Sequence, residues 1–446
     1  MRKKWGLMWL VAIMLTLLLA ACSGDEESNT EGDDSDDTQN NEEDGEQVTL
    51  KFVHWLTEET ANFEPIMEMY EEETGVKVEA IPLVESMSSE DYYKQLDLMA
   101  SAGETIDVMM WSNGNDLVKR IDAGLVAPID EFVEAEGIDI NEVYNNSYSP
   151  VDGKDYGLPM KSITNAVMIN KAHLDEAGLE IPTEWTWDEY REYAKAMTTD
   201  DHYGSYLHTW HDMFSALKLI SKEENTALVN PDGTSNADDP LVKESLEFRY
   251  ALEQEDKSSV PYSEILSQQM DYRQQFFTQE ASMVPIGTYM VTEWGQFTPE
   301  FEIAWAPWPK NEEDGVNYAD VNGDLISIGE SSEHKQEAYD FIRWMTTKGI
   351  SEQGIWLPAW KEADLDTVLE KLVNNTEKPD AMHLESLKNA ITSITPTSNA
   401  SLPSYITEVV TDFKAETELY LLGEQDIDTT VQNVQEKTQK IIDANQ

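Results

Sequence analysis

From Val48 to Trp55 the chain reads Val-Thr-Leu-Lys-Phe-Val-His-Trp, a half-alternating apolar run with the period of a strand. A polar-flanked stretch over Phe63–Glu73 then carries Ile66, Met67 and Tyr70 at helical spacing, and Gly75 marks its end. Val76–Ile81 reads as a second strand, Asp91–Ala102 as a second helix and Ile106–Trp111 as a third strand. Strand, helix, strand, helix, strand is the signature of an α/β protein with a parallel sheet and crossover helices. The theme returns further on. Thr186-Trp-Asp-Glu189 is a capping box, in which hydroxyl and carboxylate satisfy free N–H groups at a helix start, and Tyr190, Tyr193 and Ala194 follow on that helix. Ala338, Phe341, Ile342 and Met345 make an apolar stripe on another helix. The chain closes in an amphipathic helix with Val431, Val434 and Ile441 on one side. No repeat with a period of roughly 20–50 residues is present, which argues against a solenoid or propeller.

The first 47 residues do not fit this pattern. Arg2, Lys3 and Lys4 precede an apolar run from Trp5 to Ala21 that ends Leu19-Ala20-Ala21-Cys22, so residues 1–21 read as a secretory signal peptide. The small residues before Cys22 resemble the lipobox of bacterial lipoproteins. That resemblance implies cleavage before Cys22 and lipidation of its thiol. An uncleaved span is the alternative, since about 20 apolar residues can cross a bilayer. The chain's single cysteine stands where a lipobox needs it, which favours the anchor; either reading leaves the body outside the membrane. One cysteine also excludes an intramolecular disulfide and a thiolate metal site. Residues 23–47 hold twelve acids, no base and no aromatic or aliphatic residue, so they repel one another and cannot bury a core. With Cys22 they are expected to form a disordered tether, although weak cation binding by the acids is compatible with that role.

The net charge is −58, and without the signal's three bases and the tether's twelve acids the body still carries −49. Such acidity argues against nucleic acid and anionic membrane surfaces as partners. It is explained by adaptation to salty or alkaline surroundings and says little about a ligand. A body of about 400 residues exceeds one ordinary core, so two lobes are expected.

Several stretches match a known family in order and spacing. Ala100-Ser-Ala-Gly103, Ile106-Asp-Val108 and Ala123-Gly-Leu-Val-Ala-Pro-Ile129 form one block. Val151-Asp-Gly-Lys-Asp-Tyr-Gly-Leu-Pro159, Met168-Ile-Asn-Lys171, Ala177-Gly-Leu179, Pro182 and the capping box form another. Phe276–Met283 with Gly287, then Gly423 and the last helix, complete the set. The body resembles the extracellular solute-binding proteins of ABC importers, in the group that includes the maltose-binding protein. The resemblance implies an α/β, two-lobed periplasmic-binding-protein fold (type II), each lobe a sheet flanked by helices, with the ligand cleft between the lobes. It further implies that residues 48–157 and 310–355 form the first lobe, and 158–309 with most of 356–446 the second. No cofactor is implied. The partners it implies are a mono- or oligosaccharide and the transmembrane permease of an ABC importer, and it implies a lipid-anchored monomer on the outer face of the cytoplasmic membrane.

A sugar offers apolar C–H faces to aromatic rings and hydroxyls to carboxylates and amides. Eleven of the chain's thirteen tryptophans belong to the body. Trp55, with Glu58 just beyond, ends the first strand; Trp111 ends the third and precedes Asn113 and Asn115. Both loops are expected at the cleft, with a core role the alternative for Trp111. Trp210, beside His208 and His211, falls where the second lobe of the family contributes contacts. Tyr289 stands two residues past Gly287, where relatives carry a stacking aromatic. Asp320 and Asn322, ahead of the strand Leu325–Ile328, and Trp356 complete the candidates. Trp185, Trp187 and Trp344 are read as packing residues, and Lys161 as facing either the cleft or solvent. Ile163 lies near a position where maltose-binding relatives carry a ligand-binding acid, which speaks against maltose.

Three other functions have less support in the sequence. A glycosidase needs two carboxylates, but among 88 acids a suitable pair carries no information. His208-Thr-Trp-His211 places two histidines three apart, without a third metal ligand at a telling spacing. The same fold could carry a peptide, a polyol or a phosphorylated polyol instead of a sugar, although no local basic cluster is present to hold a phosphate.

Overall fold

In the computed structural model the described residues are 47–445 apart from 146–149, 211–215, 226–227, 231, 400–402 and 404. The expected signal peptide, Cys22 and the tether up to residue 46 lie outside them, as does His211.

The first sheet has the order Lys77–Pro82, Thr49–His54, Val108–Trp111, Leu325–Ile328, Leu158–Pro159. Its first three strands are parallel, and Leu325–Ile328 enters antiparallel to Val108–Trp111. The helices that make the crossovers form where expected. Phe63–Thr74 buries Phe63, Ile66, Met67 and Tyr70 and stops at Gly75, whose φ of 77° is a left-handed conformation open to glycine. Ser89–Ser101 is capped by the Ser88 hydroxyl, which accepts from the Asp91 N–H. Helix Lys335–Trp344 turns Ala338, Phe341 and Ile342 inward and runs on as a π-helical turn over Met345–Gly349.

The second sheet runs Val321–Asn322, Ile163–Asn170, Ala281–Gly287, Tyr203–Ser205, with Ile303–Pro307 also paired to Ile163–Asn170. Alternation along its strands separates two cores. Ala166, Met168, Val284, Ile286 and Trp305 face one, and Val167, Ile169, Met283, Ala304 and Ala306 the other. Both faces are therefore covered. The capping box is present, and beneath it Trp185 Nε1 donates to the Pro307 carbonyl and Trp187 Nε1 to Ser221 Oγ. Helices Pro240–Tyr250, Ile406–Leu421 and Ile427–Asn445 share a fourth core. The buried stripe of the last helix is Thr430, Val434, Thr438, Ile441 and Ile442, with Val431 only half-buried.

Three extended segments pass side by side between the two lobes. The Met160 N–H donates to the Asp324 carbonyl, the Ser162 N–H to that of Leu357, and the Ala359 N–H to that of Met160. Leu158–Pro159 still pairs with the first sheet, while Val321–Asn322 pairs with the second and the Lys310 N–H donates to the Trp185 carbonyl. By sheet pairing the chain thus crosses at 160–162 and 323–324, later than the expected 157/158 and 309/310. Residues 310–322 stay bonded to the second lobe until the crossing itself.

Candidate ligand-binding site between the lobes

Backbone geometry brings charged groups together at the crossing. Gly323, at φ 155°, lies so close to the middle segment that an added Cβ would stand 1.8 Å from the Lys161 carbonyl oxygen. This close approach sets Lys161 and Asp324 side by side, each with a side chain 5 % exposed. Lys161 Nζ donates to Glu293 Oε1 at 2.7 Å and lies 3.3 Å from Asp324 Oδ2. It also stands 4.8 Å above the Trp356 ring, whose Nε1 donates to the same Glu293 oxygen at 3.2 Å. One ammonium thus gathers groups from all three crossing segments and from the second lobe. Burial pulls its pKa down, and the Asp324 and Glu293 carboxylates more than offset this, leaving it above the ordinary lysine value. Burial dominates at Asp324 and, with the nearby Glu293 charge, outweighs Lys161, raising its pKa to about 6. Its Oδ2 has no hydrogen-bond partner among the described residues.

Aromatic rings extend the cluster into the second lobe. Gly287 leaves room for Tyr289 to fold back: an added Cβ would meet Ile163 Cγ2 at 2.5 Å and Tyr289 Cδ1 at 2.9 Å. The Tyr289 hydroxyl donates to that of Tyr272 at 3.3 Å. His208 and Trp210 pack beyond, their rings 5.0 and 6.0 Å from Tyr272. Trp210 is 41 % exposed, a ring presented to solvent. Burial and the nearby Arg249, Arg273 and Lys414 charges hold the His208 imidazole neutral, at about 3. Arg273 Nε donates to the Glu293 carbonyl and so props the loop that carries this carboxylate. In the first lobe Trp55 packs on Tyr92, and Trp111 stacks on Tyr93 at 5.9 Å. The Tyr93 hydroxyl accepts from the Ser112 N–H at 2.9 Å.

The sequence candidates divide accordingly. Tyr289 and Trp356 belong to the cluster at the crossing, and Trp210 to its aromatic extension. Trp55 and Trp111 are buried in the first core; Trp111 has no exposed surface, and its indole N–H has no hydrogen-bond partner among the described residues. Glu58 and Asn113 are exposed at helix starts, where Glu58 accepts from the Glu64 N–H and Asn113 from the Asp116 N–H. Asn115 lies on that same helix, Gly114–Asp122. Asp320 and Asn322 occupy the edge of the second sheet, with Asn322 Nδ2 donating to Asp320 Oδ2 at 2.9 Å. Lys161 proves buried at the crossing, so its solvent-facing alternative is set aside. Asp324, Glu293, Tyr272 and Tyr93 escaped the sequence reading. No group of three or more His, Cys, Asp or Glu among the described residues could hold a metal. A depression of about 710 Å³ between Phe132 and Trp344 shares no residue with this cluster. The gap lined by Lys161, Tyr289 and Trp356 measures about 10 Å³, so its walls already touch.

Two α/β lobes joined by three crossing segments are the architecture of a two-lobed binding protein. Residues 39–351 match the family model of the bacterial extracellular solute-binding proteins, and the chain belongs to that family. It is 24% identical over 376 residues to the multiple sugar-binding protein of Streptococcus mutans, covering 77% of this chain and 79% of that protein. Among solved structures it is similar to a sugar transporter from Rhizobium etli in an open conformation: TM-score 0.71, 22% identity, 88% of this chain and 99% of the other. The sugar-binding protein MalE from Xanthomonas citri gives TM-score 0.69 at 19% identity, over 89% and 98% of the two chains. No helix among the described residues is long and apolar enough to cross a membrane.

Proposed function

We propose that this protein captures a sugar or oligosaccharide between its lobes and delivers it to the permease of an ABC importer. One observation carries the reading. Trp210, Tyr272 and Tyr289 converge on a crossing furnished with Lys161, Glu293 and Asp324, the pairing of ring faces and charged hydrogen-bonding groups that a polyhydroxylated ligand needs. The sugar-binding relatives support the cargo class. The charges also bear on it. Lys161 faces two carboxylates and Arg273 is engaged by the Glu293 carbonyl, so these cations leave little for a phosphorylated polyol or an anionic peptide. The site residues we propose are Lys161, Trp210, Tyr272, Tyr289, Glu293, Asp324 and Trp356, with Trp55, Glu58, Trp111, Asn113, Asn115, His211, Asp320 and Asn322 as further contacts when the lobes rearrange around a ligand. The protein acts as a monomer without chemistry of its own, held by lipid on Cys22 at the extracellular face of the cytoplasmic membrane and spaced from it by the acidic tether.

Uptake of labelled saccharides by cells lacking this protein tests the proposal. Re-expression of the full chain should restore uptake of one saccharide class. Cys22→Ala should release the protein into the medium and lower uptake. Uptake that never depended on the protein would contradict the assignment.

A further inference from the structure

Asp324 is an anomaly among the groups at the crossing. Its neighbours are engaged: Lys161 Nζ donates to Glu293, Trp356 Nε1 donates to Glu293, and Arg273 Nε donates to the Glu293 carbonyl. Asp324 instead keeps Oδ2 buried and without a hydrogen-bond partner among the described residues, 3.3 Å from an ammonium whose 2.7 Å bond goes to Glu293. Buried acceptors are almost always satisfied, and leaving one unmade is costly. The cost is compounded by charge, because one ammonium faces two carboxylates. Such costs persist where they serve binding.

We infer that Asp324 is a specificity-determining residue of the cleft, its Oδ2, ion-paired with Lys161 at 3.3 Å but without a hydrogen bond, accepting one from a hydroxyl of a neutral saccharide. This rests on the sugar-binding reading and deepens it. The excess negative charge selects a hydroxyl donor and repels a phosphate or carboxylate. Lys161 holds the aspartate in place by charge and gives its own hydrogen bond to Glu293.

The test uses the chain from residue 22 onward and a fixed panel of probes: raffinose, maltotriose, arabinotriose, xylotriose and mannitol, with glycerol phosphate as the anionic comparison. The panel member that raises the wild-type melting temperature most is titrated by calorimetry into wild type and Asp324→Leu, which keeps the branched shape with somewhat larger methyl ends and removes both acceptor oxygens. A hydrogen bond to a charged group predicts an affinity loss of about 10- to 100-fold, with the unliganded melting temperature not lowered. Equal affinity in the folded variant overturns the inference and leaves the sugar-binding reading standing. No shift with any panel saccharide, together with a shift from glycerol phosphate, overturns both. If Asp324→Leu does not fold, wild type alone decides. Titration near pH 6 in buffers of different ionisation enthalpy should show proton release on binding, because the ligand hydroxyl prefers the ionised carboxylate. Lys161, Glu293 and Tyr93 are the titratable groups around it. Binding without proton release overturns the inference.

Discussion

Replacing Asp324 by Asn mimics its protonated form and should change how stability responds to pH in a calculable way. The folded-state pKa is about 6 against an ordinary 3.8. A carboxyl whose pKa is raised by folding holds its proton more tightly in the native state. Its penalty is therefore absent below pH 3.8, grows as pH rises, and is complete above pH 6. Two such values differ by about 3 kcal/mol at high pH, and between pH 4.5 and 7.5 the change is about 2 kcal/mol. Asp324 is fully buried, so solvent screening does not dilute this figure. Lys161 retains Glu293 at 2.7 Å in the variant, so the substitution does not strand its charge. Equilibrium urea unfolding of wild type and Asp324→Asn at the two pH values measures the effect. The difference in unfolding free energy should move by about 2 kcal/mol in favour of the variant on going to pH 7.5. A difference that stays constant, or moves against the variant, would show that attraction to Lys161 outweighs burial and would refute the reasoning.

Further predictions concern other parts of the structure. Trp210→Ala removes an exposed ring, so saccharide affinity should fall at least about tenfold while unfolding free energy changes by less than about 0.5 kcal/mol; unchanged affinity by calorimetry removes Trp210 from the site. His54 is buried, its Nδ1 accepting the Leu56 N–H, and burial lowers its pKa to about 4 from 6.5. The unfolded chain therefore binds a proton first, and stability is lost as pH falls from 6.5 towards 4. His54→Gln should lose about 2 kcal/mol less than wild type between pH 7.5 and 4.5, and an identical loss counts against a neutral buried imidazole. Gly323→Ala drives a Cβ into the Lys161 carbonyl, so urea unfolding should show a loss above about 3 kcal/mol, whereas a neutral effect would mean the segments do not pass so closely.

How much of this was legible in the sequence depended on whether the signal was local. Periodicity located the Phe63–Thr74 and Ser89–Ser101 helices and the three parallel strands to within two residues. The capping box and the packing of Trp185 and Trp187 were equally local. Trp111 was harder, because an aromatic at a strand end reads the same whether it faces a cleft or a core, and only its stacking on Tyr93 locates it. Near the second crossing the sequence pointed to Asp320 and Asn322 and passed over Asp324. Asp320 and Asn322 flank a turn and looked free, yet they bond to each other, while Asp324, directly against the apolar run Leu-Ile-Ser-Ile, enters the crossing. A charge abutting a buried strand was the available clue. Glu293 offered none, since its partner Lys161 lies 132 residues away in the chain.

The central claim is that a neutral saccharide is held between the lobes, and calorimetric titration of the mature chain with neutral saccharides and phosphorylated polyols tests it most directly. A neutral saccharide should bind saturably and one-to-one, and the anions not at all; binding only of a phosphorylated polyol would keep the fold and contradict the cargo.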